Sequence, residues 1–429
     1  MDSSSFERIL SLIKQTRLRP STSRGELIES ESDKGRVINS APFRRLQQKA
    51  QVFPLDPNAS VRTRLTHSIE VSQVGRHLAQ KIIERFKATS YVRLAAFVNT
   101  VETACLLHDI GNPPFGHLGE SAICEWFVDK KSEIADLKEF DGNPQGFRLI
   151  SFLAGADNYG FNLTATQLLS SVKYPWTLSN KGSAKKIGLF DADLQYYKEA
   201  CEVVGWEPGL KFPLMQLMDV ADEIAYSMSD LEDGLEKKII SLSELQHQFT
   251  GWEHLWPEKP TSFLAFKIGV INFAVDLAAS AFVSNIDGLL EGAKVSLIDK
   301  KTPVGELLSA VKTFATERIY SHESAEQVEL AGRSVVKGLL NHFGPLLDLP
   351  QAKFDMLVRN DRDGIKEGRL DFEIRLFRRL PIRYCEKYMV VERGDETYRR
   401  AHLLVDTISG MTDDYALETY QILEGIRIK

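Results

Sequence analysis

The stretch "LLHDIGNPPFGHLGE", residues 106–120, sets His108 beside Asp109, follows them at once with Gly111, Asn112, Pro113 and Pro114, and then places His117 nine residues after the first histidine. Helical steps back from His108 through the preceding "AAFVNTVETAC" (95–105) reach Ala104, Val101 and Phe97. The histidine therefore continues the apolar face of a helix and points toward the core. Asp109 lies roughly 100° further round the helix, and Gly111 ends the helix two residues later, so both side chains can bend toward one ion beyond its end. The Pro113-Pro114 turn redirects the chain so that His117 approaches the same place from outside the helix.

An isolated His-Asp dipeptide carries no information by itself. His67 in "RTRLTHSIEVSQVG" (62–75) adds weight, because it stands four residues before Val71 on the apolar stripe of its own helix. A second inward-facing imidazole needs a partner. Further along, "LMQLMDVADEIAYSMSDLEDG" (214–234) ranges Asp219, Asp222, Tyr226 and Asp230 along one helical face. Such a face is most often solvated, but here the neighbouring stripe is apolar and a tyrosine sits among the acids, which suits a cleft. Two imidazoles and two carboxylates make a mixed N/O site for Mn, Fe, Co, Ni, Zn or, less readily, Mg, too nitrogen-rich for calcium.

Outward from these segments, helical periodicity dominates. Val71, Val74, Leu78 and Ile82 recur at steps of three and four, as do Leu217, Val220, Ile224 and Met228. Alternating patterns are confined to "FEIRLF" (372–377) and "YMVV" (388–391), where a small hairpin is expected. The fold class is mainly α. Loops are expected at 54–62, 141–146 ("DGNPQG"), 179–186 and 391–400, and no internal repeat or long linker divides the chain.

The 429 residues are 43% hydrophobic and 26% charged, enough for a large core, and a formal charge of -6 argues against a general polyanion-binding surface. A local basic pocket for a phosphorylated ligand is compatible with that charge. The segment 263–283 is the nearest approach to a membrane span, but Lys267, Asn272 and Asp276 interrupt it, and it reads as a buried helix of a soluble protein. Glu7 and Arg8 break any signal-peptide core at the N-terminus. Four scattered cysteines without a C-x-x-C pair fit a reducing compartment, so a cytoplasmic location is expected.

His67, the His108-Asp109 pair and a distal aspartate resemble the H...HD...D pattern of the HD-domain metal-dependent phosphohydrolases. "FRRLQQKAQVFPLDPNASVRTRLTHSIEV" (43–71), "LLHDIGNPPFGHLGE", "ADEIAYSMSDLEDG" and "SGMTDDYA" (409–416) resemble more closely the bacterial deoxyguanosine triphosphate triphosphohydrolases and their dNTPase relatives. The blocks keep the family's order over nearly the whole chain. The resemblance implies one elaborated helical domain over 1–429, with an HD core at 60–235 and a helical extension at 236–429 across a soft boundary.

It further implies hydrolysis of a deoxynucleoside triphosphate at the α-phosphorus, giving the deoxynucleoside and inorganic tripolyphosphate. By the same resemblance one divalent ion, Mn or Mg foremost, is held by His67, His108, Asp109 and Asp222, leaving Asp219 a structural role. The resemblance also implies that His117 is the catalytic histidine, with Glu120 as its carboxylate partner, for proton transfer to the leaving O5′ or from the water. Arg64, Lys173 and Tyr174 match contacts to phosphate and sugar, while Gln51, Tyr226 and Asp230 match the residues that read deoxyribose. One departure stands out: Ala50 occupies a position where relatives often carry threonine. A homo-oligomer, a hexamer by resemblance, is expected, with a dNTP effector and single-stranded DNA as further partners and no membrane. Rival readings are another HD-domain nucleotide phosphohydrolase and a regulatory protein that binds nucleotide or single-stranded DNA.

Overall fold

Thr63, still extended, caps the helix Arg64–Glu84: its hydroxyl accepts from the Thr66 amide, and the Thr66 hydroxyl accepts from the Thr63 amide. The computed structural model describes residues 3–22, 24–86, 91–130, 134–155, 159–252, 262–390 and 395–427. Helix Arg64–Glu84 packs on three others, Tyr91–Leu107, Pro213–Glu236 and Phe263–Ser284. The apolar stripes read from the sequence are the packed faces: Val71, Leu78 and Ile82 on the first helix and Leu217, Ile224 and Met228 on Pro213–Glu236 are wholly buried. Helix Glu26–Ile38 covers the far side of Tyr91–Leu107.

Around this group the long helix Glu323–Asp348 packs against Gly116–Asp129, Glu396–Ser409 and Asp413–Leu423. The C-terminal segment is thereby brought back to the turn after residue 108.

The architecture is mainly α, as expected, and no strand occurs among the described residues beyond the isolated bridges Arg17–Thr164 and Ala50–Thr63. The expected hairpin is corrected: "FEIRLF" lies in the helix Asp371–Phe377, and Tyr388 to Val390 end the helix Ile382–Val390, with residue 391 outside the described residues. Leu370 and Ile374, and again Tyr384 and Tyr388, are buried at steps of four, a helical spacing that six- and four-residue windows cannot distinguish from alternation.

The expected loop 141–146 is also helical. Asp141 caps the helix Gly142–Arg148 by accepting from the Asn143 amide, and residues 142 and 144–148 are buried, so tertiary packing overrides the glycines and proline. Of the expected loop 391–400, residues 391–394 lie outside the described residues, Asp395 is a cap, and 396–400 begin the helix Glu396–Ser409. The apolar helix Phe263–Ser284 is long and apolar enough to cross a membrane by length and composition. It buries one face through Val270, Ala274, Ala278 and Phe282, while Leu264, Ile268 and Phe273 are exposed, so it is buried on one side only. Its Lys267 pairs with Glu232 at 2.7 Å and Glu70 at 3.5 Å. All four cysteines are free.

Candidate metal centre and nucleotide cleft

Helix Tyr91–Leu107 stops one residue before His108, so the His-Asp pair opens the turn that follows, not the last helical turn expected from the pattern. The turn packs hard onto the helix Gly142–Arg148: a Cβ on Gly111 would stand 2.1 Å from both the Gly142 oxygen and the Gly146 nitrogen. Only glycine permits that approach, and it sets where His108 and Asp109 point.

The first-turn His67 is fully buried, and its Nε2 lies 3.2 Å from Oδ1 of Asp222 on the helix Pro213–Glu236. His108 Nε2 lies 3.5 Å from the same Asp222 oxygen and 3.6 Å from Asp109 Oδ2. The two imidazoles meet edge to face with centroids 5.2 Å apart. Donor atoms of His67, His108 and Asp109 all fall within 4.8 Å of one another. Asp222 is outside that group of three yet within reach of both imidazoles.

The fit to a cation is visible in what these rings lack. His108 Nδ1 bonds the Cys105 carbonyl at 2.7 Å, which assigns the proton to Nδ1 and leaves Nε2 with its lone pair. That Nε2 is buried without a hydrogen-bond partner, as is His67 Nδ1. The unpartnered His108 Nε2, together with the His67 Nε2 that faces Asp222, supplies the donor chemistry of a divalent-metal site of mixed ligands.

Electrostatics agree. Burial, the largest influence, works to raise the Asp109 carboxyl, but His108 and Arg64 hold it well below its usual value. Asp222 is likewise lowered, its burial outweighed by His108 and His67. His67 is raised, because the Asp222 hydrogen bond and charge overcome its burial. Arg64 donates to Asp109 Oδ2 at 2.7 Å, and Asn112 donates to Oδ1 at 2.7 Å.

These groups open onto a cavity of about 620 Å³, lined also by Gln51, His117, Glu120, Lys173, Tyr174, Tyr226 and Asp230. That volume is in the range of small-molecule and cofactor sites. Every sequence-predicted site residue except the fully buried His67 lines it. His117, second in the helix Gly116–Asp129, is 85% exposed, and its Nδ1 lies 2.9 Å from Glu120 Oε2. Glu120 Oε1 accepts from the Gly142 amide at 2.8 Å, which fixes the carboxylate. The Glu120 hydrogen bond and charge raise His117 above its ordinary value.

Lys173 pairs with Asp219 at 2.5 Å, and this charge outweighs burial to keep the ammonium raised. Gln51 Oε1 and Arg64 Nε are buried without partners. Asp230 is 3% exposed, is pushed up to about 6 by burial, and accepts from the Tyr320 hydroxyl.

Among the lining residues that went unread in the sequence are Lys186, Lys312, Tyr320 and Glu329. Lys186 pairs with Asp141 at 2.5 Å, and the Lys312 ammonium stands 5.8 Å from the Tyr226 ring centre. They lie on separate segments with no local motif; only Lys186, in a loop between two marked blocks, carried a hint in its basic neighbourhood.

Comparison with known proteins meets this geometry at the same residues. The family model described as HD domain matches residues 64–146, the span that carries His67, His108, Asp109, His117 and Glu120. The chain is 34% identical to proteins named deoxyguanosinetriphosphate triphosphohydrolase from Yersinia pestis (strain Pestoides F) and Enterobacter sp. (strain 638), over 92% of this chain and 93% and 94% of the relatives. It is also 34% identical to the protein of that name from Klebsiella pneumoniae subsp. pneumoniae, over 95% of this chain and 96% of the relative. HD-domain membership implies a divalent metal ion, which the donor set suits. With the HD turn, His117 and Asp222 lining one cleft, and with 34% identity to these relatives over 92–95% of its length, the chain belongs to the deoxyguanosinetriphosphate triphosphohydrolase family.

Proposed function

We propose that this protein is a metal-dependent dNTP triphosphohydrolase that adds water to the α-phosphorus of a deoxynucleoside triphosphate and releases the deoxynucleoside and tripolyphosphate. The observation that carries this reading is the convergence of a metal-type donor set, a carboxylate-held histidine and cationic side chains in one nucleotide-sized cavity. His67, His108, Asp109 and Asp222 would hold the ion, Mn or Mg foremost. When bound it polarises the phosphoryl group and stabilises charge developing there.

The chain's own residues do the rest. Arg64, Lys173 and Lys186 bind the polyphosphate; the two lysines exchange their carboxylate partners for phosphate oxygens. The Pα–O5′ bond breaks as the water oxygen bonds to phosphorus; His117 gives its proton to O5′, and the attacking water loses its protons to solvent, from which His117 is reprotonated. The Glu120 carboxylate favours the protonated imidazole, which suits an acid more than a base. Asp230 and Gln51 accept and donate at the 3′-hydroxyl. The Tyr226 ring against C2′ leaves no space for a 2′-hydroxyl, so ribonucleotides are excluded sterically.

A cytoplasmic location, assembly into a homo-oligomer (a hexamer by resemblance), a dNTP effector and single-stranded DNA as a partner belong to the same proposal and rest on family resemblance and free cysteines. The test is incubation of Mn- or Mg-supplemented protein with each dNTP and with GTP, beside His117→Ala and Asp222→Ala. Turnover of dNTP, none of GTP, and loss in both variants is expected. Turnover of GTP at a rate like that of dGTP would reject the sugar assignment, and no turnover of any nucleotide would favour a regulatory binding protein.

A further inference from the structure

Asp413 and Lys49 lie outside the cavity lining, yet both are almost wholly buried, at 3% and 4% exposure, and both join the C-terminal segment to chain that carries site residues. The Asp413 carboxylate accepts two backbone amides from regions far apart in sequence: Ala50 on Oδ2 at 2.9 Å and Phe115 on Oδ1 at 3.0 Å. Ala50 immediately precedes Gln51, and Phe115 stands two residues before His117. The Lys49 ammonium donates to the Ser409 carbonyl at 2.7 Å and to the Asn112 carbonyl, crossing the same gap in the other direction.

Phe115 adds a reason why such a hold is needed. Its backbone is left-handed, with φ 61°, a conformation that costs a bulky residue of this kind free energy and persists only when its surroundings impose it. The ring is buried against Gly332 of the helix Glu323–Asp348, where a Cβ would stand 2.3 Å away, so the ring is held on one side and the amide on the other.

We infer that Asp413 and Lys49 form a clasp by which the segment 409–416 positions both the His117 turn and the Gln51 strand of chain, coupling the proton donor to the sugar reader. They are positioning residues. The clasp explains why alanine serves at position 50, since that residue contributes its amide and needs no side-chain hydroxyl. Its catalytic consequence rests on the dNTP reading, whereas its structural content does not.

The test compares Asp413→Ala, Asp413→Asn and Lys49→Met in the full chain with Asp414→Ala, an exposed acid in the same first helical turn. Amide hydrogen exchange is followed in peptides covering 47–53 and 112–118. Asp413→Ala is expected to speed exchange at least tenfold in both peptides, and Asp414→Ala to change neither by more than twofold. Asp413→Asn keeps one acceptor oxygen and restores one peptide only.

In steady-state assays Asp413→Ala lowers kcat at least tenfold and narrows the preference for dGTP over GTP, with calorimetric Mn affinity within twofold of wild type. Lys49→Met follows it. Unchanged exchange in either peptide with Asp413→Ala, or equal effects of Asp413→Ala and Asp414→Ala, overturns the clasp. So does a loss of kcat that merely tracks lost Mn affinity. A wild-type protein that turns over no dNTP refutes the functional reading alone, and the exchange arm still decides the clasp.

Discussion

Replacing Glu120 by glutamine tests the proton-transfer assignment at small structural cost. The carboxylate has two jobs, anchoring to the Gly142 amide through Oε1 and holding His117 Nδ1 at 2.9 Å through Oε2. Glutamine keeps the first with its carbonyl oxygen and then presents its NH2 to Nδ1, where a second donor disfavours the imidazolium. His117 is 85% exposed, so the lost attraction is that of charges about 4 Å apart in a water-like dielectric, about 1 kcal/mol. At about 1.4 kcal/mol per pKa unit, that lowers the imidazole by somewhat less than one unit, and the opposed donor brings the drop to about one.

Because the protonated form is the proposed donor, the loss must grow with pH. Toward high pH kcat with dGTP falls further below wild type, by up to about tenfold, and toward low pH the variant approaches wild type. The assay is a pH series of kcat, with the His117 ring titration followed by NMR. A loss of equal size at every pH, or an imidazole that titrates unshifted, would refute the reasoning and leave Glu120 as an anchor only.

Metal binding should read out in stability: added Mn raises the melting temperature, about 2.7 kcal/mol of stabilisation at a hundredfold excess over Kd, chelator reverses it, and His108→Ala shows neither effect in differential scanning calorimetry. If Asp230 and Gln51 read the 3′-hydroxyl, 2′,3′-dideoxy-GTP should lose about 10-fold or more in kcat/KM against dGTP, and Asp230→Ala should erase most of that gap. Glu70 is held down at about 2, since Arg62 outweighs its burial, so its contribution is complete above the ordinary carboxylate range and is lost as pH falls toward 2. After allowance for its partial exposure this is about 1–2 kcal/mol, and Glu70→Gln should flatten the pH dependence of the unfolding free energy from urea titrations between about pH 5 and 2 by that amount. Ile224→Ala, at a wholly buried position, should cost about 2–5 kcal/mol in the same measurement.

The parts legible in the sequence share one property, that chemistry and periodicity coincide within a single helix or turn. His67 falls in register with Val71, and Asp222, Tyr226 and Asp230 follow one another at steps of four, so each could be placed on a face before any fold was known. Tyr320 could not. Its hydroxyl reaches Asp230 from a segment whose sequence has no motif, and only the packing of distant helices brings the two together. Asp413 was visible as part of a block of resemblance, but its two acceptor bonds span more than 290 residues and leave no local trace. The hairpin and the 141–146 loop were misread for opposite reasons. One window was too short to separate helical from alternating spacing, and in the other a cap and close packing against Gly111 overrode turn-forming residues.

The most direct test of the account is hydrolysis of dGTP in ¹⁸O-enriched water with Mn supplied, the products followed by ³¹P NMR and mass spectrometry. Attack at the α-phosphorus predicts tripolyphosphate as the sole phosphorus product, with one solvent oxygen on a terminal phosphorus, and deoxyguanosine carrying none. Pyrophosphate or orthophosphate as a primary product, or the label in the 5′-hydroxyl of deoxyguanosine, would contradict it.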